Sequence, residues 1–138
     1  MNRGIFSAFL AIALAVTISC GGGNSGSDDE DQTNWLIGNW SMVSSNGQSL
    51  DTQGLQKVVM ALNENSSFAI TYTLLVGYEC VQSGAWEKVS SSIMRMAIES
   101  NTCNAEQTAN LLVNYSLTNN NNTLNLSGGS GSSVWTRI

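Results

Sequence analysis

Three cysteines, no histidine and a thin scatter of carboxylates define the chemistry open to this chain of 138 residues. Without histidine, Ser-His-Asp nucleophilic catalysis and imidazole-based metal sites are excluded. Ser-Lys or paired-carboxylate chemistry is open by composition, but Glu79 and Glu87 sit in no recognisable motif. Gly128-Gly129-Ser130-Gly131 lacks the lysine of a phosphate loop and lies between two apolar alternations, so it reads as a hairpin turn. These residues call for no catalysis, no cofactor and no metal.

The cysteines divide by context. Arg3 precedes an apolar run, Ile5 to Val16, that falls short of the about 20 residues needed to span a bilayer. The run ends at Thr17-Ile18-Ser19-Cys20, so residues 1–19 read as a signal peptide. This junction resembles the lipobox of bacterial lipoproteins, with Thr17 standing where leucine is usual. The resemblance implies cleavage before Cys20, diacylglycerol on its thiol, and a membrane as partner through N-terminal acyl chains. Two or three such chains anchor stably at ~0.8 kcal/mol per buried CH₂.

Residues 20–34 then form a tether. Gly21-Gly22-Gly23-Asn24-Ser25-Gly26-Ser27 is flexible, and Asp28-Asp29-Glu30-Asp31 repels itself and an anionic surface. Gly21, rather than aspartate, resembles the outer-membrane choice in lipoprotein sorting. The acidic cluster is also similar to a surface-export signal of some bacterial lipoproteins. The expected address is the bacterial envelope, lipid-anchored at the outer membrane. Outside the cytoplasm, Cys80 and Cys103 are expected to form a disulfide, two buried thiols being the alternative.

From Trp35 onward the elements are strands. Hydrophobic residues make up 42% of the chain and charged ones 11%, the reverse of a disordered balance. After Trp35 six acids face four bases, so no basic patch exists and nucleic-acid binding is not expected. Phe68-Ala69-Ile70-Thr71-Tyr72-Thr73-Leu74 alternates with period two, and Val58, Met60 and Leu62 share one parity before Asn63-Glu64-Asn65-Ser66. That predicts a hairpin of 57–63 with 67–76. Met94, Met96 and Ile98 repeat the pattern, as do Leu111, Val113, Tyr115 and Leu117 before the turn Asn119 to Asn122. With 35–44, 78–89, 123–126 and 133–138 the count reaches eight, and 102–110 could hold a short helical turn. Eight short antiparallel strands predict an all-β domain over 35–138, an up-and-down barrel or a sandwich. Gly38-x-Trp40 and Gly84-x-Trp86, each followed by Val and Ser-Ser at matching positions, predict a repeated half-barrel.

Gly38-Asn39-Trp40, the Phe68 hairpin, Gly84-Ala85-Trp86, Leu124-Asn125-Leu126 and Trp135-Thr136-Arg137 together resemble the small lipocalin-like domains of bacterial lipoproteins. The resemblance covers roughly 35–138. It implies an antiparallel barrel of about eight strands in which Trp40 plugs one end, Arg137 packs across it, and Gly38 allows close approach. The chain lacks the Thr-Asp-Tyr type motif and C-terminal helix of true lipocalins. An eight-stranded barrel is just wide enough to fill itself or to hold one small ligand. The inward candidates for a ligand pocket are Met60, Phe68, Tyr72, Met94, Met96 and Tyr115, with the tyrosines as polar contacts. Two functions follow: a membrane-anchored carrier of a small apolar ligand, or a filled barrel that binds or inhibits another envelope protein.

Overall fold

The period-two alternation folds into one antiparallel sheet that closes on itself. The computed structural model describes residues 35–104, 108–129 and 131–138. The expected signal peptide, Cys20 and the expected tether lie outside these residues. The strands are β1 (Gly38–Ser45), β2 (Gln48–Ser49), β3 (Leu55–Leu62), β4 (Ser67–Leu74), β5 (Glu79–Lys88), β6 (Ile93–Asn101), β7 (Ala109–Thr118), β8 (Thr123–Gly128) and β9 (Gly131–Arg137). Each long strand pairs with its sequence neighbour, and β9 pairs back onto β1. Setting aside β2, a short flank on the end of β1, this is a closed eight-stranded up-and-down barrel. It matches the small lipocalin-like barrel. Closure leaves no long edge free to recruit another strand.

Three local expectations are corrected. The first strand begins at Gly38 rather than residue 35; Trp35 and Leu36 are helical, and Leu36 turns fully inward. No helical turn forms at Thr102 to Asn104, and Ala109 and Asn110 belong to β7; residues 105–107 lie outside the described set. The physical reason is local. The Asn101 side-chain oxygen accepts from the backbone N–H of Cys103 (3.0 Å) and of Asn104 (3.1 Å), which bends the chain out of β6.

The third correction is the half-barrel repeat, which is not present. β1 and β5 lie three places apart around the wall and run in opposite directions. A twofold repeat of eight strands would set them four apart and parallel. Trp40 and Trp86 nevertheless reach the same end of the barrel, because one strand starts there and the other finishes there. The two glycines also differ. Gly38 has φ 140°, whereas Gly84 sits where β5 and β6 shift register around Glu99.

The hairpin loops sort the barrel into two ends. Residues 63–66, 89–92 and 119–122 gather with the entry and exit of the barrel chain; 46–54, 75–78, 102–104 and Gly129 gather at the other, called the far end. At the far end Asn46 and Gly47 both have positive φ, 53° and 73°, the geometry of a tight two-residue turn after β1. Inward side chains from all eight long strands make one apolar core. Its largest fully buried side chains, Trp40 and Phe68, lie toward the first end, while Val58, equally enclosed, stands opposite Tyr72.

Gly84 provides a direct check on this wall. A Cβ there would lie 1.8 Å from the Ala97 carbonyl oxygen, so backbone must move to admit it. Gly84→Ala is expected to cost about 3 kcal/mol or more, at the upper end of overpacking effects. Urea unfolding measures this, and a wild-type midpoint would contradict the close approach.

Candidate functional site

At the first end the chain seals its own barrel. The helical backbone at Leu36 turns a carbonyl toward Trp40, whose indole N–H donates to it at 2.9 Å. Arg137 arrives from β9 and lays its guanidinium over the Trp40 ring, 4.3 Å from the centroid. Its N–H groups donate to the carbonyls of Ile37 (3.0 Å), Asn121 (3.1 Å) and Trp35. Such a cation–π contact contributes about 0.5–2 kcal/mol. Gly38 makes the room, since a Cβ there would come within 2.8 Å of the guanidinium. The asparagine run serves the same end. Asn119, Asn120 and Asn121 all have positive φ, a conformation asparagine tolerates, and this places the Asn121 carbonyl under Arg137.

Of the six pocket candidates, most gather behind this seal. Met60 stands opposite Trp40 in register, and Met96 opposite Trp86. Met60 and Met94 retain no exposed surface, and Phe68 and Met96 almost none. Tyr115 is buried too, but its hydroxyl donates to the Ser90 carbonyl at 2.9 Å, tying down the 89–92 loop. Tyr72 alone stands toward the far end.

There the interior changes character. The Tyr72 hydroxyl donates to Gln82 Oε1 at 3.0 Å, and Gln82 faces Asn101 across β5 and β6. All three are buried. Burial pushes the Tyr72 phenol well above its ordinary range. Inward-facing Ile70, Leu74 and Leu111 pack against the core yet remain only partly buried. The disulfide Cys80–Cys103, whose Cα atoms are 5.0 Å apart, clamps the start of β5 to the turn after β6. Closing that loop contributes about 3 kcal/mol in the chain-entropy model.

Sequence reasoning finds neither Gln82 nor Asn101. Gln82 shares parity with Cys80 and Trp86, so a signal for it is present. Asn101 is hidden, because the register shift between Ser83 and Gly84 moves it off the parity of Met94, Met96 and Ile98. Glu79 and Glu87 do not meet; they stand at opposite ends of β5, bonded to Thr73 and Arg95. A separate shallow groove of about 390 Å³ lies on the outer wall of β7–β9, lined by hydroxyls and amides including Ser92, Asn114, Asn125 and Ser132.

Arg137→Ala is expected to lose about 2–4 kcal/mol of stability, combining the ring contact with hydrogen bonds from a charged donor. Arg137→Lys should not restore it, because an ammonium lacks the planar fork that serves several carbonyls at once. Denaturant midpoints test both, and an unchanged Arg137→Ala midpoint would mean that the guanidinium does not hold this end. Tyr72 makes a pH prediction. Its raised folded-state pKa means that the native state holds the proton longer than the unfolded chain, so its contribution is complete below about pH 10 and declines above it. Tyr72→Phe should flatten that alkaline decline while costing about 1 kcal/mol at neutral pH; an equally steep decline in the variant would contradict it. Compared with known proteins, the sequence matches no family model and no curated protein.

Proposed function

We propose that this chain is a lipid-anchored, lipocalin-like protein of the bacterial envelope that holds a small apolar ligand in the far half of its barrel. One observation carries the reading. Beyond the seal, the inward side chains of Ile70, Leu74 and Leu111 stay partly accessible, although they line the same wall as fully buried neighbours such as Met60 and Phe68. Burial of ligand against that wall would contribute ~25 cal/mol per Å² of apolar surface. No bond is made or broken.

The anchor rests on the sequence at Cys20. A disulfide supports an oxidising compartment, which an envelope address supplies. The tether enters at Trp35, beside the seal. In this reading the closed end faces the outer membrane and the far end faces away from it.

One observation favours a second reading, an interaction or inhibitor module. The turn between β4 and β5 presents Leu75, Val76 and Tyr78 with 56%, 76% and 75% of their surface exposed. Exposed apolar groups of this kind mark protein-binding surfaces when they form a contiguous patch.

Native mass spectrometry of the full chain, purified from its host and ejected from detergent micelles, tests both parts. The covalent mass should correspond to a chain starting at Cys20 with acyl groups attached. A small non-covalent passenger should leave on collisional activation. An unacylated N-terminus overturns the anchor. A chain that carries no passenger and takes none up from a panel of apolar compounds overturns the carrier; a bound protein in its place favours the second reading.

A further inference from the structure

We infer that the Tyr72, Gln82 and Asn101 tier selects ligands carrying a neutral hydrogen-bond acceptor, such as the carbonyl of a ketone, ester or amide. The inference rests on the carrier reading and deepens it.

The tier contains an orphan donor. Asn101 is 7% exposed, and its Nδ2 is buried without a hydrogen-bond partner. Turning the amide over does not help, because Oδ1 already accepts from the N–H groups of Cys103 and Asn104. A buried amide donor left in this state is costly, so native structures supply a partner.

The neighbours decide the partner's chemistry. Gln82 Oε1 accepts from the Tyr72 hydroxyl, which fixes that amide beside Asn101. Asn101 Oδ1 accepts two N–H groups, so what this residue has left to offer is its Nδ2 donor. That donor calls for an acceptor, which an ammonium cannot supply. Charge then separates a carbonyl from a carboxylate. Among the described residues, Lys57 and Arg95 are exposed on the outer wall, while Lys88 and Arg137 stand at the sealed end, so no cation faces the tier. A buried carboxylate would go uncompensated there, which is far more costly than burying a neutral carbonyl. The apolar remainder of such a ligand would lie along Ile70, Leu74 and Leu111.

The test uses the full chain held in amphipol and three probes of matched length, titrated calorimetrically: 2-nonanone, 1-nonene and nonanoate. The ketone should bind about tenfold tighter than the alkene, the worth of one well-made hydrogen bond, and tighter than the carboxylate. Asn101→Asp keeps the oxygen that caps Cys103 and Asn104 but removes the donor, and should bring ketone and alkene to equal affinity. Equal binding of ketone and alkene by the unaltered chain overturns this inference and leaves the carrier reading standing. Tightest binding of nonanoate overturns it in the same way, as does a full preference for ketone retained by Asn101→Asp. Should the variant fail to fold, the three probes on the unaltered chain decide alone. Failure of every probe to bind overturns the inference and the carrier reading together.

Discussion

The guanidinium of Arg137 is the constraint from which the rest of the barrel is organised. It comes from the last strand, lies on an indole of the first, and satisfies carbonyls of the entering chain and of the 119–122 loop. An up-and-down sheet has two edge strands, and here they are β1 and β9. Their backbone ladder closes the wall, while Arg137 closes the end. The same side chain accounts for several otherwise unrelated residues. Gly38 lacks a Cβ to clear it, Leu36 orients the indole beneath it, and the asparagines of 119–121 take left-handed backbone to bring a carbonyl within reach.

Sealing one end divides the interior. Near the seal, tryptophan, phenylalanine, methionine and leucine side chains fill the space and leave almost no exposed surface. An interior packed to this density tolerates neither voids nor additions. Towards the far end, the wall carries Tyr72, Gln82 and Asn101, and nearby Ser45 and Ser133 are buried as well. Ser133 is spoken for, since Trp135 donates its indole N–H to that hydroxyl at 2.7 Å. The Asn101 amide nitrogen is not. Asn101 is otherwise committed to the turn, its oxygen holding Cys103 and Asn104.

The far end is held by different means. The disulfide joins β5 to the turn after β6, and Asn46 ties the first hairpin to β9 through Ser132, accepting its N–H at 2.9 Å. Gly131 leaves space for that asparagine, whose Oδ1 lies 2.7 Å from where a Cβ would stand. Cross-links of this kind fix the rim without filling the middle.

The strand count, the hairpins and the inward set are legible in the sequence because a half-buried strand writes itself as period-two alternation. The cysteine pairing is legible because two thiols placed by the sequence reading outside the cytoplasm have few other fates. Only the tertiary structure shows that Trp35 and Leu36 leave the strand to cap the barrel, since that depends on Arg137 at the opposite end of the domain's sequence. Only it gathers Tyr72, Gln82 and Asn101 into one tier, because residues on different strands share the same local alternation. Asn101 is the clearest case. One extra residue in β6 reverses its face, and a bulge is a relation between two strands that neither strand's sequence contains.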